Sequence, residues 1–144
     1  MNRGLDWNRS LHFARCNPGR SVPITELQRL TVSLRGGFEQ KDGCLVFHFT
    51  GQLDAYSEKQ FLSYVADVLG ANAFPAVLDL SKIDFLDSSG LGALVQLAKQ
   101  CNEAKRSFVV VGNARVSQTV KLVRLETFLH LVNDLDTAFT QLAA

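Results

Sequence analysis

The chain has 144 residues, 47% hydrophobic and 20% charged, a balance that suits one globular domain and excludes wholesale disorder. Fifteen Lys+Arg against fourteen Asp+Glu leave a net charge of +1, so charge makes no case for a direct nucleic-acid partner. No apolar run nears the roughly 18 residues that span a bilayer, and the polar opening segment lacks the apolar stretch of a secretory signal. The expectation is a cytoplasmic protein with no membrane partner.

Charge divides the chain. Residues 1–30 carry five arginines (Arg3, Arg9, Arg15, Arg20, Arg29) against Asp6 and Glu26, a net of +3, whereas the remainder is slightly acidic at −2. Asn17-Pro18-Gly19 and Val22-Pro23 interrupt this leader, and neither a helical nor a strand period surrounds them. Residues 1–28 therefore read as a basic, flexible N-terminal extension and residues 29–144 as the folded domain. An edge element packing Trp7 and Phe13, or an arm that docks a partner, are the other readings of the leader.

Leu30, Val32 and Leu34 alternate with Thr31, Ser33 and Arg35, the period of a half-buried strand. Gly36-Gly37 and Asp42-Gly43 then mark bends into a second strand over 44–50. Its two faces carry Leu45, Phe47, Phe49 and Val46, His48, so both are expected to be covered. His48 reads as a packed, hydrogen-bonded histidine rather than a catalytic one. Phe61, Val65, Val68 and Leu69 form a helical stripe ended by residues 72–75. A buried strand over 76–80 follows, then a helix with Leu91, Leu94, Val95, Ala98 and Cys101 on one face. Residues 108–111 read as another buried strand, closed by Gly112-Asn113. Val116, Val120 and Val123 mark a third helix and residues 129–132 a short last strand. Leu135, Ala138, Phe139 and Leu142 describe a C-terminal helix capped by Asn133 or Asp134. Strand–helix–strand crossovers demand parallel neighbours, while the opening hairpin adds antiparallel pairing. The fold class is α/β: a single domain with a mixed sheet of about four to five strands flanked by about four helices.

Cys16, Cys44 and Cys101 are dispersed and odd in number, and His12, His48 and His130 are equally scattered, so neither a metal site nor a cofactor is expected. One segment concentrates small polar residues: Phe85-Leu-Asp87-Ser88-Ser89-Gly90-Leu91-Gly92, running from a strand end through a short loop into a helix. Asp87, Ser88 and Ser89 suit an N-cap, and Gly90 and Gly92 suit a helix start pressed on neighbouring backbone. Such a cap can be purely structural. It is not the Gly-x-Ser-x-Gly elbow of a serine hydrolase, nor a phosphate-cradling glycine loop. A serine hydroxyl at such a junction is also accessible to another protein's active site. Phosphorylation would add close to two negative charges at a helix end that tolerates them, which changes binding without unfolding the domain.

Gly51-Gln-Leu-Asp54, Val77-Leu-Asp-Leu-Ser81, the segment from Phe85 to Gly92 and the helix from Val116 to Leu125 resemble, in order and spacing, the STAS domain, in the form of the bacterial anti-sigma factor antagonist. The resemblance covers residues 29–142. It implies a regulator, not an enzyme, that binds an anti-sigma factor and frees a sigma factor for transcription. The anti-sigma factor would also be a serine kinase that modifies Ser88, with Ser89 the lesser candidate, and a PP2C-type phosphatase would reset the protein. Gly51, Asp54, Asp87, Ser88, Ser89, Gly90 and Leu91 are the implied partner-binding residues, gathered at one end of the sheet with Gly51 and Asp54 on the loop after the second strand. Gln52 stands where the family often carries Glu, and Glu126-Thr-Phe-Leu follows Arg124 where it commonly reads Leu-x-Gly-Leu. The alternatives are a non-switching STAS scaffold in a signalling or transport assembly, and a nucleotide- or small-molecule-binding domain.

Overall fold

A computed structural model describes residues 27–70 and 74–143. The leader, with Trp7, Phe13, Cys16 and the suggested extension over residues 1–28, lies almost wholly outside the described residues. The described chain begins with a two-residue strand, β1 (Gln28–Arg29), which pairs antiparallel with β2 (Leu34–Lys41). β2 turns through Asp42-Gly43 into β3 (Cys44–Leu53), with Lys41 opposite Cys44. Both turn residues have positive φ, 54° and 77°, the conformation that lets a two-residue turn follow the twist of its strands.

From β3 onward the strands run parallel: β4 (Ala76–Leu86), β5 (Phe108–Gly112) and β6 (Leu131–Val132), so the six strands lie in chain order. The crossovers are α1 (Glu58–Leu69), α2 (Ser88–Glu103) and α3 (Ala114–Leu122). Each crossover steps in the same direction across the sheet. With the right-handed connection that parallel strands require, all three helices must fall on one face. That face holds the main core: Leu45, Phe47 and Phe49 of β3 and Leu78, Leu80 and Ile83 of β4 against Phe61, Val65 and Val68 of α1, Leu94 and Leu97 of α2, and Val116 and Val120 of α3. Fully buried side chains of this kind stabilise by about 1.5–3 kcal/mol each. The opposite face is left to the C-terminal helix α4 (Leu135–Ala143), whose Ala138, Leu135, Phe139 and Leu142 cover Val46, Val77, Val109, Val111 and Val132.

The other helical stripes, the buried strands and the crossover order agree with the sequence, but the α3 stripe is shorter than expected. Val116 and Val120 are buried, whereas Val123 lies just past Leu122 and is exposed, so the helix does not run on to Leu125. Among the described residues the sheet counts six strands rather than four to five because the two-residue β1 is added at its edge. Asp134 caps α4, its Oδ1 accepting from the Thr137 amide at 2.7 Å. Three local readings are corrected. Residues 30–33 form a tight turn, not a strand: Thr31 Oγ1 accepts from the amides of Ser33 and Leu34, at 3.2 and 3.1 Å, and Val32 is 92% exposed. Gly36-Gly37 lie inside β2 rather than at a bend. A β-carbon on Gly36 would stand 2.7 Å from the Phe49 ring, so the glycine makes room for that ring. β4 continues to Leu86 instead of ending at residue 80, which removes the loop expected before the Asp87 junction.

Candidate functional site at the start of α2

The long β4 carries the site. Beyond Leu80, opposite the end of β5, its residues pair only with β3, through Thr50–Lys82, Gly51–Ile83, Gln52–Phe85 and Leu53–Leu86. The C-terminal ends of β3 and β4 therefore project together, and α2 starts one residue beyond β4. Asp87 is its N-cap: Oδ1 accepts from the Gly90 amide at 2.9 Å, and the Asp87 carbonyl accepts from Leu91 N at 2.9 Å. The Asp87 amide in turn donates to the Leu53 carbonyl at 3.4 Å. Ser88, the first helical residue, is exposed, Ser89 is half-buried, and Gly90 and Leu91 are buried.

The glycines differ. A β-carbon on Gly90 would collide with the Leu53 carbonyl, so the close approach expected here is present. Gly92 is exposed and a β-carbon there would touch nothing within 4 Å, so its expected packing role is not found. Gly51 lies within β3, not on the loop after it. Its φ of +108° and its closeness to the Ser33 carbonyl, which accepts from Gln52 N at 2.9 Å, make it a backbone-contact residue.

Asp54, directly after β3, is only 9% exposed. Its Oδ1 accepts from Tyr56 N at 3.0 Å and from Ser57 Oγ at 3.2 Å, which shapes the turn into α1. The end of β3 that precedes Asp54 therefore touches Asp87 and Gly90 through Leu53. Two aromatic residues that the sequence pattern does not single out stand exposed beside the junction: Tyr56 on the turn into α1, at 88%, and Phe85 near the end of β4, at 45%. Phe85 lay inside the quoted motif. Tyr56 offered no periodicity, since it belongs to a turn.

Among the described residues no histidine stands at the junction as a base for Ser88. His48 lies on the sheet between Asp79 and Glu39, hydrogen-bonded as its context suggested. His130 Nδ1 faces the Phe108 carbonyl at 2.6 Å. Cys44 and Cys101 are free and buried, and burial raises both thiol pKa values. Among the described residues no cluster of His, Cys, Asp or Glu is arranged for a metal, and no helix is long and apolar enough to cross a membrane. An open groove of about 530 Å³ lies at the start of α3, lined by Gly112, Asn113, Ser117, Lys121 and Asn133 among others, and does not include Asp87 or Ser88.

A family model described as the STAS domain matches residues 38–138. The chain belongs to the STAS domain family. This STAS domain is similar in structure to an anti-sigma factor antagonist from Mycobacterium paratuberculosis, with a TM-score of 0.71 and 26% identity over 78% of this chain and 96% of that one. The anti-sigma factor antagonist SpoIIAA in its unphosphorylated form shares the fold at TM-score 0.57 and 14% identity, covering 85% of this chain and 98% of its own. The murine anion transporter Slc26a9 shares it as well, at TM-score 0.64 and 14% identity over 94% of this chain but only 24% of the transporter. The STAS fold thus occurs both as a near-complete small protein and as a fraction of a large one.

Proposed function

We propose that the chain is a phosphorylation-switched anti-sigma factor antagonist. It binds an anti-sigma factor that is also a serine kinase, and so releases a sigma factor for transcription. The carrying observation is the placement of Ser88: exposed, first in α2, and held on a junction whose supports, Asp87 and Gly90, are bonded or pressed against β3. A hydroxyl so placed is reachable by a kinase, while the fold beneath it does not depend on that hydroxyl. Added phosphate meets the positive end of α2, which offsets its charge within the domain. At a docked surface the same charge must be desolvated, and binding is lost. The likeness to the mycobacterial antagonist supports the choice of partner.

On this reading Ser88 is the acceptor, and Ser89, half-buried, is the lesser one. Asp87 fixes the helix start, while Gly90 and Leu91 set its seat. Gly51 and Asp54 hold the adjoining turn rather than offering side chains to a partner. The chain is a substrate of the kinase and of a PP2C-type phosphatase, not a catalyst, and acts in the cytoplasm.

The test is incubation of the full chain with the anti-sigma factor kinase and ATP, read by intact-mass and fragment mass spectrometry. One phosphate on Ser88, absent from Ser88→Ala, is the expected result. Equal incorporation by Ser88→Ala would sink the site assignment and move the acceptor elsewhere, and none by the parent would favour the constitutive scaffold.

A further inference from the structure

The sheet face that α4 leaves partly open carries a chain of polar contacts across four elements. His48 of β3 is held at both ring nitrogens: Nε2 lies 2.6 Å from Glu39 Oε2 of β2, and Nδ1 lies 2.8 Å from Asp79 Oδ2 of β4. The other Asp79 oxygen accepts from the Ser81 amide at 3.0 Å and the Ser81 hydroxyl at 2.6 Å. The carbonyls of Ser81 and Ile83 accept from Asn113 Nδ2 at 3.0 and 2.8 Å, and Asn113 Oδ1 caps α3 at Val116 N, 2.8 Å away. This polar chain crosses the place where the ladder is weakest. The β3–β4 register shifts between His48 and Thr50, and β5 ends opposite Leu80, so residues 81–86 have a strand neighbour on one side only. Side chains supply order there that the backbone ladder does not.

An imidazole with carboxylates at both nitrogens satisfies both only when it carries two N–H donors. Deprotonated, it turns a lone pair on one nitrogen toward a carboxylate oxygen, and the cluster goes from a net charge of −1 to −2 with the proton released to solvent. We propose that His48 is a proton-operated clasp. Doubly protonated, it ties β2 to β4 across β3. On losing a proton it can donate to only one of the two carboxylates, so the tie from β2 to β4 is broken, and residues 81–83 loosen.

The surrounding charges leave the two carboxylates in control. On β2, Arg35 and Lys41 share the face of Glu39, with Lys41 lying over the Phe139 ring. Lys82 follows the bulge on β4, and α4 carries Asp136 in its first turn. The β5 and β6 residues of this face, Val109, Val111 and Val132, are apolar. Among the described residues, the charges acting on His48 are those of Asp79 and Glu39. The hydrogen bond to Asp79 is the largest cause of a raised His48 pKa, with desolvation opposing it. The clasp is therefore fully present below the ordinary value of 6.5 and is lost as pH rises through the raised one.

Only the consequence of the clasp rests on the Ser88 reading: β4 leads directly to Asp87 and Ser88, so the proton would tune how firmly that junction is presented. The test uses the full chain without a partner, so its failure is separable from a failure of phosphorylation, which is read with kinase. Nitrogen–proton NMR correlations of the His48 ring should show a midpoint above 6.5. Hydrogen exchange at the Ser81 amide, normalised for intrinsic rate, should lose about fivefold or more of its protection through that midpoint, and His48→Gln should abolish the pH dependence. Glu39→Gln, which leaves the β2 backbone intact, should lower the midpoint in a folded domain. A midpoint at or below 6.5, an unmoved midpoint in Glu39→Gln, or the same Ser81 profile in His48→Gln would each overturn the clasp.

Discussion

Gly90 rests directly on the carbonyl oxygen of Leu53, so the start of α2 and the end of β3 meet backbone to backbone with no side chain between them. This contact seats Ser88, two residues earlier, on the rigid part of the fold. Gly90→Ala must displace backbone, since the obstructing atom is not a flexible side-chain end. It should cost about 2–3 kcal/mol, read as a fall in Tm of roughly 10 °C. Gly92→Ala is the control: exposed and unobstructed in a helix interior, it should stabilise by about 0.5–1 kcal/mol. Equal effects of the two would contradict the geometry.

The cap can be separated from the switch. Asp87→Ala removes the acceptor for Gly90 N and should cost about 1 kcal/mol, whereas Asp87→Asn retains an oxygen there and should cost less than half as much. Urea unfolding midpoints of the two variants decide it.

Ser88→Asp places an anion in the first turn of α2, where the helix end favours it, and should change stability by less than about 0.5 kcal/mol. The same variant should bind the anti-sigma factor at least about tenfold more weakly in calorimetry. A large loss of stability with unchanged binding would make Ser88 a structural residue.

Tyr56, on the turn into α1, and Phe85, near the end of β4, are exposed aromatic residues that frame the junction. Aromatic side chains at the centre of an interface carry much of its energy, so Tyr56→Ser and Phe85→Ser should each weaken partner binding by about 1–2 kcal/mol. Tyr56→Ser should leave Tm nearly unchanged. Unaltered affinity in both would place the docking surface elsewhere.

Asp79 should mark the acid side of stability. Burial opposes its ionised form, but the hydrogen bonds from His48 and Ser81 outweigh this and hold its pKa below the usual 3.8. Its contribution is present above 3.8 and is lost as pH falls through the lowered value. Chemical denaturation between pH 2 and 5 should show stability rising with pH, with a shallower rise in Asp79→Asn.

Much of the fold was legible because its signals are local. The stripe Phe61, Val65, Val68 and Leu69 has one helical face to bury, and all four are buried. The polar run at Asp87 is a cap that needs only the three following residues. The strand after the leader was misplaced because alternation at Leu30, Val32 and Leu34 satisfies a strand period in any context. Thr31, by bonding the amides of Ser33 and Leu34, closes a turn there instead.

By itself the sequence determined the α/β class, the order of crossovers, the cap at Asp87 and the resemblance that points to Ser88, since these rest on periodicity and on short-range hydrogen bonding. Tertiary structure alone decided that Gly36 is a slot for Phe49, that Gly51 lies against Ser33, that Gly90 but not Gly92 must lack a side chain, and that His48 stands between Glu39 and Asp79. The physical reason is common to all four: each depends on a contact between segments far apart in the chain. For Gly36 and His48 that contact is fixed by strand register, which the packing of the whole sheet sets, and for Gly51 and Gly90 by how a turn and a helix start seat against β3.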